Sequence, residues 1–197
     1  MRRYIVGIDE VGRGPVAGPV YVCAAAIPED MYKKAKWVGL TDSKLMTPKS
    51  REKWYERALE LEKEGKIQFA LARKSALQID QQGIAVCIRS CVNASLKKLG
   101  LDPRQCDVRL DGGLKAPIVY KKQQTIIKGD RKEKAISLAS VIAKVSRDRL
   151  MAELHKKYPH YAWEANKGYG TRVHMAKIRE KGLSALHRKS FLTGLDK

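Results

Sequence analysis

A chain of 197 residues, 44% hydrophobic and 31% charged, is long enough to bury a core without disulfides and too apolar for a disordered protein. Its 40 Lys and Arg against 21 Asp and Glu give a formal net charge of +19, which points to a polyanionic partner, nucleic acid first. Residues 115–197 hold 20 basic and 7 acidic side chains, against 20 and 14 in residues 1–114, so the C-terminal part is expected to carry more of that contact.

The opening segment "MRRYIVGIDE" reaches Asp9 before a signal-length apolar stretch develops, and no later run approaches a membrane span. An untargeted, soluble, cytoplasmic protein is expected. Within it, "RYIVGID" and "VYVCAAAI" are nearly continuous apolar runs, the pattern of strands buried on both faces, joined by a turn rich in Gly and Pro. Thr47 and Pro48 read as the cap and first turn of a helix through "KSREKWYERALELEKEGK", which Gly65 helps to end. "KIQFALAR" alternates Ile67, Phe69 and Leu71 as a strand.

A second helix is predicted from Ile84 to Leu99, with Ile84, Ile88, Cys91, Val92, Ser95, Leu96 and Leu99 on one stripe and Gly100 as its stop. "DVRLD" and "QTIIK" read as strands. A long helix follows from Glu133 to Lys157, and another starts near Thr171. The four cysteines, Cys23, Cys87, Cys91 and Cys106, lack C-x-x-C spacing and read as small core residues. The four histidines show no ligand spacing and receive no catalytic role. Strands alternating with helices predict one α/β domain over residues 1–197, ending in helices from about residue 160.

Acids recur where apolar runs end. "IVGIDE" supplies Asp9 and Glu10, "VRLDGG" supplies Asp111, and "TIIKGD" supplies Asp130. Any one alone reads as a turn or cap residue. Together, at the carboxyl ends of strands, they can converge on one site. Clustered carboxylates repel unless a cation neutralises them, and hard oxygen donors suit Mg²⁺ or Mn²⁺, the ions of phosphodiester hydrolysis. A basic chain with such a cluster points to a nuclease; a basic nucleic-acid binder without catalysis would account for the charge but not for the acids. Asp148 reads instead as an ion-pair partner of Arg147 or Arg149, while Ser140 and Lys144, four apart on a helix face, could support the site.

The segments "GIDEVGRGPVAGPV", "TDSK", "LDGG", "IIKGD", "ASVIAKVSRDRL", "NKGYGT" and "HRKSF", in this order from Tyr4 to Phe191, resemble ribonuclease HII of the bacterial type. The resemblance implies a ribonuclease H-like mixed sheet flanked by helices, with a C-terminal helical portion that binds substrate. It also implies hydrolysis of the RNA strand of RNA·DNA hybrids, and cleavage 5′ of single ribonucleotides in duplex DNA to leave 3′-hydroxyl and 5′-phosphate ends, as in ribonucleotide excision repair. The metal ligands then map to Asp9, Glu10, Asp111 and Asp130, holding two Mg²⁺ or Mn²⁺ ions with substrate bound. Gly12, Arg13 and Gly14 map to the element that reads the ribose 2′-OH, and Tyr169 to a substrate-contacting tyrosine, with Lys44 a candidate phosphate contact. A glycine-rich backbone can approach a 2′-OH, the one group that marks a ribonucleotide in DNA. A monomer is expected, and "SFLTGLDK" is too generic to establish a sliding-clamp contact. Arg131, directly after Asp130, departs from the family pattern and would favour the ionised form of its neighbour.

Overall fold

The structure, a computed structural model, describes residues 2–35 and 37–194. The end of the "SFLTGLDK" segment, residues 195–197, lies outside them. Two apolar runs open the chain as β1 (Tyr4–Val11) and β2 (Val20–Pro28), followed by the short α1 (Glu29–Lys34) and by α2 (Pro48–Lys63). Thr47 caps α2 through its hydroxyl, which accepts from the Ser50 amide at 3.2 Å. Next come β3 (Gln68–Lys74), α3 (Ala76–Gln82) and α4 (Ile84–Leu99), the last ended by Gly100 in the left-handed conformation. β4 (Cys106–Asp111), β5 (Gln123–Ile126), the four-residue α5 (Gly129–Lys132) and the long α6 (Lys134–Lys157) complete the main layer. α7 (Trp163–Asn166) and α8 (Arg172–Lys181) close the chain.

The strands form one sheet in the order β3-β2-β1-β4-β5. β1, β4 and β5 run parallel, whereas β2 is antiparallel to β1 and β3 to β2. The three parallel strands therefore end at the same edge, where Asp9, Asp111 and the turn before Asp130 emerge. Pairing of β1 with β4 runs to Ile8 opposite Leu110, so Asp9 and Asp111 occupy the next step side by side.

Alternation assigns the faces. Val6 and Ile8 of β1, with Val108 and Leu110 of β4, join one core cluster with Ile88, Val92 and Leu96 of α4. Ile5 of β1, with Cys23, Ala25 and Ile27 of β2, meets Leu138, Val141 and Ile142 of α6 and Leu61 of α2 on the other face. β2 is buried along its whole length, as its unbroken apolar run predicts. Small residues let α6 approach closely: a Cβ on Gly7 would lie 2.0 Å from the Ala135 carbonyl carbon. All four cysteines are free and buried.

A third, smaller cluster joins Tyr161, Trp163, Ile178 and Leu192 to Met151 of α6 and to Ala17 between β1 and β2. The C-terminal helices are thus seated on the glycine-rich loop that follows the first acids. No helix among the described residues is long and apolar enough to cross a membrane.

Candidate active site at the ends of the parallel strands

Asp9 shares the face of Ile5 and Gly7 and points toward α6. Its Oδ1 accepts from the Glu10 amide at 2.7 Å. Glu10 follows on the opposite parity, yet no β4 residue pairs with β1 beyond Ile8, and both acids line one cavity of about 310 Å³. Lys44, Arg51, Lys144 and the half-exposed Tyr169 complete much of its wall, with Ser43 and Ser140 between them. A larger hollow of about 690 Å³ beside Arg2, Arg3 and Glu29 lies among surface charges and gathers no buried acid.

Burial pushes the Asp9 carboxyl well above the usual carboxylate range, and the Glu10 and Asp111 charges push the same way, against a Ser140 hydrogen bond. Burial also raises Glu10; Arg13 opposes this and Asp111 adds to it. Asp130 is raised by burial, then by Asp111 and Asp42, with Lys44 opposing. These mutual effects place the four predicted acids in one electrostatic neighbourhood, with Asp111 as the shared member. Asp111 is further fixed by the Gly129 amide, which donates to its Oδ1 at 2.7 Å. Among the described residues, no three His, Cys, Asp or Glu side chains are gathered closely enough to grip an ion as they stand.

The glycine-rich element begins where β1 ends. Gly12 has φ of +86°, and a Cβ there would lie 2.4 Å from Arg147 Nε, so only glycine fits. Arg13 is exposed and approaches Glu10 at 3.6 Å. Gly14 lies against the Tyr169 ring, since a Cβ there would stand 3.9 Å from its Cε1. Tyr169 itself is 43% exposed rather than a core residue. Its carbonyl is held 2.8 Å from His174 Nδ1, so that nitrogen carries the proton. His174 Nε2 then accepts from Trp163 Nε1 at 3.0 Å and faces His187 Nε2 at 3.1 Å. His174 and His187 are thus structural, and they fix the loop that bears Tyr169.

Several partners differ from those expected. Asp148 pairs with Lys144 at 2.9 Å, one helical turn away, because neighbours on a helix diverge. Arg149 instead reaches Glu52 and Glu56 of α2 at 2.5 and 2.7 Å. Arg131 does not favour an ionised Asp130: it turns to Asp42, with Nε 3.2 Å from Oδ2, and Asp130 remains raised. Asp42 was not anticipated from the sequence. It is buried, accepts from the Lys44 amide at 2.8 Å, and so fixes the "TDSK" turn opposite Asp130. Arg51 secures the same turn through the carbonyls of Ser43 and Met46, at 2.8 and 2.6 Å. The Ser140 and Ser43 hydroxyls are hydrogen-bonded to each other at 2.9 Å, which ties this turn to α6.

Comparison with known proteins gives a consistent picture. The family model described as Ribonuclease HII matches residues 6–194. Ribonuclease HII of Clostridium beijerinckii is 40% identical over 193 residues, covering 98% of this chain and 69% of that one. The Caldicellulosiruptor bescii enzyme of the same name is 42% identical over 193 residues, covering 98% and 88%. Among solved structures, the RNase HII chain of a PCNA:RNase HII complex from Archaeoglobus fulgidus superposes with a TM-score of 0.74 at 22% identity, over 94% of this chain and 93% of that one. Bst-RNase HIII in complex with Mn²⁺ gives 0.71 at 18% identity, over 98% and 70%. The mixed five-stranded sheet and its flanking helices are the ribonuclease H-like fold.

Proposed function

The chain belongs to the ribonuclease HII family, and from that membership we propose that it is a metal-dependent endoribonuclease acting on the RNA strand of RNA·DNA hybrids and 5′ of single ribonucleotides in duplex DNA. The observation that carries this reading is the convergence of Asp9, Glu10 and Asp111 at the ends of two parallel strands, with Asp130 beside them, in a protein of net charge +19.

The donor chemistry fits a hard divalent cation. All four side chains offer oxygen, and burial and mutual repulsion hold Asp9, Glu10 and Asp130 toward their protonated forms, an effect that a divalent cation between them would relieve. Mg²⁺ is ordinarily held by one or two carboxylates, with water and substrate phosphate oxygens completing its shell, so the protein need not supply a closed cage. Asp9, Glu10, Asp111 and Asp130 would hold one or two such ions, and the structural neighbour solved with Mn²⁺ supports that choice of cation. When bound, Mg²⁺ or Mn²⁺ supplies activation of water and stabilisation of the leaving oxygen.

The chain's own residues do the rest. The Gly12–Gly14 backbone approaches the ribose 2′-OH, Tyr169 packs against the adjacent deoxynucleotide, and Arg13 and Lys44 contact phosphate. The segment from about residue 160 to 197, with the basic surplus after Lys115, tracks the duplex. The four buried free cysteines support a reducing, cytoplasmic setting, where the protein acts as a monomer in ribonucleotide excision repair. Cleavage of a duplex carrying one ribonucleotide, followed with Mg²⁺, with Mn²⁺ and with chelator, tests the reading. Cleavage that persists in excess chelator would overturn it.

A further inference from the structure

The loop between β1 and β2 must keep Gly12, Arg13 and Gly14 beside the acids, yet it has no strand ladder of its own. Two fully buried arginines hold its carbonyls instead: Arg147 of α6 takes those of Ala17 and Pro19, and an arginine from the far end of the chain takes those around Gly12. Arg188 Nη2 donates to the Gly12 carbonyl at 2.6 Å, Nη1 to Arg13 at 3.0 Å and Nε to Gly18 at 3.0 Å. The Arg188 amide adds a bond to the Val16 carbonyl at 2.8 Å. Every polar contact of this guanidinium among the described residues is to backbone.

Such burial is costly. Burial first and then the nearby Arg147 disfavour the charge of this guanidinium, and the Asp80 carboxylate, which is not in contact with it, offsets them only in part. Packing alone would be served by an apolar side chain. What the planar fork adds is a fixed arrangement of several carbonyls at once. The turn behind Arg188 is itself anchored: Asp80 of α3 accepts from the Lys189 and Ser190 amides at 2.9 and 3.0 Å and from Ser190 Oγ at 2.5 Å. A surface carboxylate, a buried guanidinium and the Gly12–Gly14 backbone therefore form one connected series.

We propose that Arg188 is a positioning residue for ribonucleotide recognition, setting the Gly12–Gly14 backbone at the ribose, and that Asp80 sets Arg188. The proposal rests on that segment being the ribonucleotide-reading element. It is distinct from a role in nucleic-acid affinity, because neither group faces solvent as a free cation toward a phosphate: Arg188 is buried, and Asp80 is an acid.

Arg188→Lys keeps the charge and loses the fork. On a duplex with one ribonucleotide it should lower kcat by about 10- to 100-fold, the scale of a misplaced reacting group, with KM and affinity for all-DNA duplex little changed. Asp80→Ala, remote and at the surface, should lower kcat in the same direction by a smaller factor. Combined with Arg188→Lys it should add nothing further, as expected for members of one series. If Arg188→Lys fails to fold, Asp80→Ala decides alone: reduced kcat in a folded protein supports the proposal, and unchanged kcat overturns it. Wild-type kcat in folded Arg188→Lys also overturns it, as does a loss confined to thermal stability. An unsubstituted chain that cuts all-DNA duplex equally well would sink the reading of the site itself, a result seen without any variant.

Discussion

Asp111→Asn separates the two things the strand-end acids do. The Asn side-chain oxygen can still accept from the Gly129 amide, a 2.7 Å contact in the native chain, so the turn into α5 keeps its anchor. What disappears is the charge that pushes on Asp9, Glu10 and Asp130. Groups whose folded pKa is raised stabilise the fold only at low pH; that contribution is lost as pH rises through the folded value. At pH 7 they therefore weigh against folding, and lessening their shift is stabilising. One pKa unit relieved is worth about 1.4 kcal/mol, and about 1 kcal/mol corresponds to roughly 2–4 °C in Tm for a chain of this size. Asp111→Asn is thus expected to hold or raise Tm at pH 7 in chelator, while kcat on a single-ribonucleotide duplex falls by about 100-fold or more for want of a shared oxygen donor. Thermal melts and steady-state kinetics on the same preparation decide it. Full cleavage at ordinary Mg²⁺ would refute the assignment of Asp111, and a Tm several degrees lower would show that its charge serves the fold.

Tyr169→Ala should depress cleavage at the ribonucleotide far more than binding to all-DNA duplex, measured by kcat/KM against a duplex Kd; equal losses would make Tyr169 a general contact. Duplex binding should weaken steeply with salt, with log K falling by about 0.9 per phosphate neutralised for each unit of log salt, and a slope near zero would remove the role given to the basic C-terminal part. Acid should loosen the cluster beneath Tyr169. Burial first, then the neighbouring His174, pushes His187 down to about 4, so its contribution is complete above the unfolded value near 6.5 and is lost as pH falls toward 4. That loss amounts to about 2–3 kcal/mol, read as a falling unfolding midpoint over this range, and His187→Asn should abolish this part of the pH dependence. Because the raised acids act in the opposite direction, the difference between the native chain and His187→Asn decides it: identical pH dependence in the two would contradict the neutral, wired histidine pair.

The site was legible where local pattern and topology agree. β1 and β4 are apolar runs that end in acid, and parallel pairing brings those ends together whatever the distance along the chain. α4 was readable to its bounds because the apolar stripe is unbroken and Gly100 stops it. α3 was passed over although Ser75 and Gln78 form a capping box, a signal that the short helix between two stronger elements obscured. Asp42 could have been suspected from the polar "TDSK" quartet, but its ion-pair partner Arg131 lies 89 residues away. Arg147 and Arg188 lie in segments that carry the family resemblance, yet nothing local to either shows what it holds. Their partners are backbone carbonyls 128 and 176 residues distant, which any sequence could supply, so Arg147 read as an ion-pair partner of Asp148 and Arg188 received no role of its own.

The central claim is that a ribonucleotide is recognised through its 2′-OH while water performs the cut. End-group analysis on a duplex with one embedded ribonucleotide tests it most directly. The account predicts a single cut on the 5′ side of the ribonucleotide, a 3′-hydroxyl and a 5′-phosphate, and no cleavage when that residue is a deoxynucleotide. A 2′,3′-cyclic phosphate, or equal cutting of all-DNA duplex, would contradict it.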